Sequence, residues 1–293
     1  MSLKIAIRPL VSNEEVAQFE QLQRLVWTGS ETDVIPGHLL LALARSGGLV
    51  LGAFDRDRLV GLVFSFLGTD IESPDRLAMT RLKHYSHMLA VHPDFRDHGI
   101  GYSLKFAQRE FVHRQGVRLI TWTYDPLQSR NAYLNIQRLG VICRRYHREA
   151  YGEMRDGLNV GYPSDRFDVE WWITTPRVKS RLAGSRKPLD MANFLSAGAI
   201  KINPTELRED GFPRPTGEIL PMEGTLLIVE IPPDITSLKA QDPELAMTWR
   251  MHTRALFEEA FARGYMVTDY VYFREERIPR SYYILTYGEG TLG

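Results

Sequence analysis

The sequence predicts an α/β fold, with a mixed central sheet built by residues 1–176 and a smaller α/β region over residues 190–293. Three observations carry that expectation. Short apolar runs rich in β-branched and aromatic residues read as strands, and they alternate with longer segments whose apolar residues recur at helical spacing. Glycine, proline or capping residues bound most of these segments. The 293 residues, 44% hydrophobic and 25% charged, supply enough core for one large domain or two ordinary ones.

Lys4-Ile5-Ala6-Ile7-Arg8 alternates polar and apolar before Pro9 and predicts a first strand. Ser12 and Glu15 have capping-box spacing, and Val16, Phe19, Leu22, Gln23 and Val26 share one face, so Asn13 to Trp27 predicts a helix. Pro36 can open a second helix that continues through Leu39 to Ala44 and ends at Gly47-Gly48. Leu49 to Phe54 and Leu59 to Leu67 flank the charged turn Asp55-Arg56-Asp57-Arg58 and read as an antiparallel hairpin. A strand from Tyr85 to Val91 stops at Pro93, and Gly99-Ile100-Gly101 opens a helix to about Gln115, closed by Gly116. Val117 to Tyr124 then reads as a strand and Ser129 to Leu139 as a helix ended by Gly140. Val141 to Tyr146 and Phe167 to Thr174 are the last strands of this half.

Residues 177–189 are basic, hold Gly184, and read as a linker or exposed turn. Beyond it come a strand at Leu226 to Ile231, a helix from Asp242 to Arg263, and strands at Met266 to Phe273 and Ser281 to Tyr287. That order has the pattern of a reduced β-α-β-β copy of the first half.

Lysine plus arginine and aspartate plus glutamate both number 36, so the chain has no overall charge that would draw it to nucleic acid or an acidic membrane. Its one cysteine, Cys143, excludes an intrachain disulfide and fits a reducing cytoplasm; it reads as a small apolar strand residue. Met1 to Leu10 lacks the apolar run of a signal peptide, and the apolar stretch Leu39 to Phe54 is broken by Arg45, Gly47 and Gly48, which excludes a membrane span there. No His or Cys spacing predicts a metal site.

The strongest local signal is Met88-Leu89-Ala90-Val91-His92-Pro93-Asp94-Phe95-Arg96-Asp97-His98-Gly99-Ile100-Gly101, a strand that runs through a loop into a helix. Gly99 and Gly101 let backbone N–H groups approach an anion, and a helix start adds unpaired donors and the positive end of its dipole. Together they suit a pyrophosphate, with Arg96 adding a charge-assisted bond. A bare G-x-G also opens ordinary helices. The spacing is not that of a Rossmann loop, and no Gly-Lys-Ser/Thr follows as in a P-loop.

Arg-x-x-Gly-x-Gly, after Leu-Ala-Val-His-Pro and before an amphipathic helix, resembles the acyl-CoA loop of the GNAT acyltransferases, and the element order from residue 4 to about 175 resembles their fold. The resemblance implies that the N–H groups of Asp97, His98, Gly99, Ile100 and Gly101 hold a pyrophosphate. It also implies that the backbone of Leu89, Ala90 and Val91 pairs with a pantetheine arm.

Such chemistry needs a base for the amine, a donor for the thioester oxygen and an acid for the thiolate. His87, on the strand into the loop, is the candidate base, with Tyr85 on the same face as a helper. The match His-x-Leu-Ala-Val-His over His87 to His92 resembles the arylalkylamine branch of the family. The alternative for His87 is a hydrogen-bonded structural histidine; His84, His92 and His98 side chains read as solvent-facing or packing.

Many family members carry a tyrosine acid four residues before the glycine that ends the fourth helix. Here Gly140 is preceded at that spacing by Ile136, and Tyr133, one turn earlier, is the remaining candidate beside a packing role. Ser129 holds the place of the family's cofactor-binding asparagine and Asn131 lies two residues on; either bonds the pantetheine or caps the helix. The long polar loop from Tyr151 to Arg166 falls where the family builds part of its acceptor site, and its Arg155 and Arg166 are candidates for a substrate carboxylate. The cluster Arg144, Arg145, His147 and Arg148 reads as a solvated face or a phosphate attractor, and Trp171-Trp172 as core and sheet surface.

The expected function is N-acyl transfer from an acyl-CoA, acetyl or succinyl, to a primary amine of a small molecule such as an amino acid, by direct attack in a ternary complex. The rival is a non-catalytic acyl-CoA sensor, supported by Ile136. One cofactor site is expected, because residues 190–293 hold no second matching loop. No metal, nucleic-acid or membrane partner is expected, and homodimerisation is left open.

Overall fold

The computed structural model describes residues 4–27, 29, 31–71, 74–152, 161–185, 187–275 and 278–288. The described residues fall into two compact units, one ending at Trp122 and the other beginning at Thr123.

The first unit is a sheet between helices. Its strands are β1 (Ile5–Pro9), β2 (Leu49–Asp55), β3 (Arg58–Thr69), β4 (Leu82–Val91) and the start of β5 (Leu119–Tyr124), in that spatial order. The first four pair antiparallel, while β4 and β5 run parallel. Helices α1 (Asn13–Val26) and α2 (Gly37–Arg45) cover one face and α3 (Ile100–Arg114) the other. Phe19, Leu22 and Leu40 pack on Val50, Phe54, Leu62 and Phe64. Ile100 and Leu104 pack on Leu49, Leu51, Ala53, Val60 and Val63. A strand covered on both sides has no polar face to keep, so β2 is a continuous apolar run. Gly61 permits the close approach of α3: a Cβ there would lie 3.0 Å from Ile100 Cγ2 and 3.1 Å from Leu104 Cδ1.

The capping box forms as the sequence predicts: Glu15 N donates to Ser12 Oγ at 3.3 Å and Ser12 N to a Glu15 carboxylate oxygen at 3.4 Å. Arg8 also pairs with Glu15 at 2.6 Å and holds its carboxyl down at about 2.

The second unit holds the helix α4 (Ser129–Ala132), which widens into a π-helical turn over Tyr133–Arg138, and β6 (Ile142–His147) and β7 (Arg166–Trp172). There follow α5 (Pro176–Leu182), α6 (Met191–Ser196), the short strands β8 (Ile200–Lys201), β9 (Thr205–Leu207) and β10 (Pro213–Pro215), and β11 (Leu226–Ile231). Helices α7 (Ile235–Gln241) and α8 (Pro243–Ala262) lead into the hairpin of β12 (Tyr265–Glu275) and β13 (Ile278–Tyr287). The sheet order here is β7-β6-β12-β13-β11-β8, and the two hairpins meet where Val267 of β12 pairs with Cys143 of β6. An aromatic cluster fills the core: Phe167 lies edge-on to Phe257 at 4.7 Å and within 5.5 Å of Tyr283. Leu245, Trp249, Leu256, Phe257 and Ala260 give α8 its buried stripe.

At the start of the segment 177–189, which the sequence reads as a linker or exposed turn, α5 starts at Pro176, Thr175 caps it, and Arg177 is buried with its guanidinium bonded to the carbonyls of Gly140 and Thr268. Arg181 pairs with Asp269 at 2.7 Å. These arginines find their acceptors far along the chain, which basic composition alone does not reveal.

A buried ion pair ties α8 to the turn after β5: Arg250 Nη2 donates to Asp125 Oδ2 at 2.7 Å, and Asp125 Oδ1 accepts from Leu127 N at 2.9 Å. Burial opposes ionisation of Asp125, but the charges of Arg250, Lys239 and Arg166 prevail and lower its pKa. Removing one partner of such a pair strands the other charge, which costs about 3–5 kcal/mol, whereas replacing both costs little. Asp125→Ala is therefore expected to lower the unfolding free energy in urea by that amount, and Asp125→Leu/Arg250→Met to recover most of it. Equal losses in the two variants would show that the pair is not what holds this turn.

Candidate active site

The loop from His92 to Gly99 is fixed by its own bonds. His92 N donates to Val60 O at 2.9 Å, the His92 ring accepts from Asp94 N at 3.2 Å, and Arg58 Nη2 reaches the ring's other nitrogen at 2.8 Å. The imidazole of His98 lies 2.7 Å from Arg96 O. Asp97 and Gly99 have φ of +66° and +75°, the left-handed region, so the chain turns sharply before α3. Gly99 is the N-cap and makes no side-chain cap, and the first turn of α3 contains no acidic residue. By contrast α1 has a capping box with Glu14 and Glu15, and α8 has the Asp242 cap with Glu244. A helix start with no acidic residue in its first turn and no side-chain cap presents the positive end of its dipole, which suits an anion. A Cβ built on Gly99 would meet nothing within 4 Å, so the approach is open. Arg96 and His98 are exposed beside it.

Upstream, β4 is disturbed where the sequence puts His87. On the β3 side Phe64 pairs with Met88 and Ser65 with Ser86, so His87 is an extra residue, a β-bulge. On the β5 side only His84↔Ile120 and Tyr85↔Thr121 pair, and that register stops there. Past this fork, among the described residues, β4 pairs with β3 only, and the Val91 carbonyl accepts from Arg96 Nε at 3.4 Å; the other edge, through Leu89 and Ala90, has the form of a strand edge that suits an extended ligand.

The His87 ring sits among Phe64, Phe66 and Tyr85, with centroids at 5.8, 6.5 and 6.2 Å. The residue is exposed, yet the protein around it displaces enough water to lower its pKa, which favours the neutral imidazole. Among the described residues no group hydrogen-bonds this ring. His84 differs: it is fully buried, its Nε2 donates to Gln115 Oε1 at 2.6 Å, and its Nδ1 accepts from Ser65 Oγ at 3.2 Å. Burial lowers its pKa, and both nitrogens are engaged in packing the strand.

The first unit thus brings together His87, Tyr85, the backbone of 89–91 and the loop 96–101. Ser129, Asn131, Tyr133 and Arg166 belong to the second unit. The Ser129 hydroxyl is buried, lies 2.6 Å from Tyr270 Oη and 3.0 Å from Ser281 Oγ, and makes no cap on α4. Asn131 is exposed, and Tyr133 is 41% exposed at the start of the π-helical turn, so it does not pack in the core. Ile136 is fully buried. Arg166 is buried at the start of β7, where Nη1 donates to Asp165 O at 2.8 Å and the guanidinium lies 5.6 Å from the Tyr151 ring centroid. Arg155 lies outside the described residues.

The basic cluster after Cys143 is paired. Arg144 grips Glu170 at 2.9 and 3.0 Å, Arg145 lies 3.2 Å from Asp168, His147 lies 3.4 Å from Asp168, and Arg148 grips Glu258 at 2.5 and 2.6 Å. Sequence reading missed Ser86, Lys105, Gln108 and Trp122, which gather under the fork. Their signal was a lysine and a glutamine on the buried stripe of α3, with Ile100, Leu104 and Val112.

Among the described residues no group of three or more His, Cys, Asp or Glu side chains gathers as a metal site, and no helix is long and apolar enough to cross a membrane. No family model and no curated protein matches the sequence. Solved GNAT acetyltransferases are similar to part of it. Arabidopsis thaliana NAA60 in complex with acetyl-CoA is 17% identical, with a TM-score of 0.46 over 58% of this chain and 100% of its own. The ribosomal-protein-S18-alanine N-acetyltransferase of Escherichia coli is 11% identical, with a TM-score of 0.41 over 57% and 92%. An aminoglycoside acetyltransferase from an uncultured soil metagenomic sample, in complex with sisomicin, is 20% identical, with a TM-score of 0.35 over 42% and 78%.

Proposed function

We propose that this chain is a GNAT-type N-acyltransferase that takes an acyl group from acyl-CoA to a primary amine. One observation carries the reading: an uncapped, acid-free helix start follows a bulged strand whose pairing with its parallel neighbour ends after two residues. The first feature suits a pyrophosphate and the second an extended amide-bearing arm running toward it. The backbone of Asp97 to Gly101 and the Arg96 guanidinium hold the phosphates, and the β4 edge through Leu89 to Val91 pairs with the arm.

Neutral His87, at the bulge, takes a proton from the incoming ammonium, directly or through a water, so that the amine nitrogen attacks the thioester carbon. The C–N bond forms, the C–S bond breaks, and the thiolate leaves with a proton. Tyr85 shares the His87 face and supports the base, and Tyr133, exposed on its helix, is the proposed acid in place of the apolar Ile136. The acceptor proposed is a small amine such as an amino acid, with the acyl group acetyl or succinyl and Arg155 and Arg166 reading a carboxylate.

The rival reading is a sensor that binds acyl-CoA without turnover, and buried Ile136 at the usual acid position favours it. Release of free thiol from acetyl-CoA and succinyl-CoA against free amino acids, polyamines, aminoglycosides and short peptides separates the two. At least one amine is expected to stimulate release above the hydrolytic background. Saturable CoA binding with no stimulation across the panel would leave the sensor.

A further inference from the structure

The fork between β4 and β5 needs a cause. Two parallel strands that begin in register gain a backbone hydrogen bond with each further pair, and open edges leave donors and acceptors without strand partners. Pairing nevertheless ends at Tyr85↔Thr121. The next residue on each strand, Ser86 on β4 and Trp122 on β5, meets the same side chain. Lys105 Nζ donates to Ser86 Oγ at 2.8 Å and lies 3.6 Å from the Trp122 ring centroid. It also donates to Gln108 Oε1 at 3.2 Å, to which Ser86 Oγ donates in turn at 3.3 Å.

Lys105 is 1% exposed, and among the described residues no carboxylate pairs with it. Burial drives its pKa well below that of an ordinary lysine. A buried amine with neutral partners is a costly choice for a helix face that an apolar residue would fill as well. The amine is placed where one atom can touch both arms of the fork. Lys105 also stands four residues, about 6 Å along the axis, from Gly101 in the same helix. A single rigid element therefore carries both the anion-ready start and the prop under the fork.

We propose that Lys105 is a positioning residue that holds β4 and β5 at their fork, through Ser86 and Trp122, and so keeps the β4 edge open for the pantetheine arm of the donor. This rests on the acyl-CoA reading above.

The test compares two probes by calorimetry: CoA, which has both pyrophosphate and arm, and 3′-phospho-ADP (called ADP below), which has the same nucleotide and pyrophosphate without the arm. Lys105→Met keeps the length and bulk of the side chain but removes the amine; Ser86→Ala removes the same link from the strand and serves independently. Each variant is expected to weaken CoA at least tenfold while ADP stays within twofold of the wild-type chain. CoA binding within threefold of wild type in both variants, or parallel loss of CoA and ADP, would overturn the positioning role. Wild-type protein that binds neither probe would instead sink the acyl-CoA reading, and this inference with it.

Discussion

Gly101→Glu is expected to abolish CoA binding, weakening it by 100-fold or more, while leaving the fold as stable as before or slightly more so. The two effects separate because they act on the same dipole with opposite consequences. Gly101 is the second residue of α3, a helix with no acidic residue in its first turn and no side-chain cap. A glutamate in that turn interacts favourably with the positive end of the dipole, which stabilises a helix by about 0.3–1 kcal/mol. The same carboxylate then occupies the place of the pyrophosphate and repels it, and a 100-fold loss corresponds to about 2.7 kcal/mol. Gly101→Ala, which adds bulk without charge, should lose less. Thermal melting and calorimetric titration with CoA read the two effects side by side. If Gly101→Glu binds CoA within tenfold of the wild-type chain, the pyrophosphate is held elsewhere. A fall in melting temperature accompanying the lost binding would attribute that loss to unfolding.

The sequence carries this loop openly because everything that makes it is local. Glycines at 99 and 101, the Pro93 break and the missing acid in the first turn lie within a dozen residues and act on their own backbone. The capping box at Ser12 and Glu15 was legible for the same reason. Ser129 was not. Its partners, Tyr270 and Ser281, stand 141 and 152 residues away, and no local pattern distinguishes a serine facing a ligand from one facing a distant tyrosine. The cluster at Arg144 to Arg148 hid its pairing in the same way, since Glu170 comes from the neighbouring strand and Glu258 from α8. The bulge at His87 has no sequence mark of its own either, because a bulge is a mismatch between two strands. It appears only when Phe64 and Ser65 are aligned with Met88 and Ser86.

The bulge gives His87→Ala its interpretation. The variant is expected to lower kcat/KM for the amine by on the order of 10²-fold or more, the usual contribution of a positioned general base. CoA affinity and stability should change little, because the residue is exposed and its ring, among the described residues, accepts and donates no hydrogen bond. The pH profile supplies the sharper evidence. Surrounding protein lowers the His87 pKa from the ordinary imidazole value of 6.5. A base works only when deprotonated, so the wild-type rate should rise with pH through that lowered value and then level off in the neutral range. Loss of the imidazole removes this acid limb, leaving a lower rate that rises only as the amine itself deprotonates. Burial of His84 also lowers its pKa, but its ring is tied on both nitrogens to Gln115 and Ser65, so His84→Gln should preserve the limb in whatever protein folds. A His87→Ala profile that keeps the wild-type acid limb would move the proton transfer away from the bulge, and Tyr85, on the same strand face, would be the next group to replace.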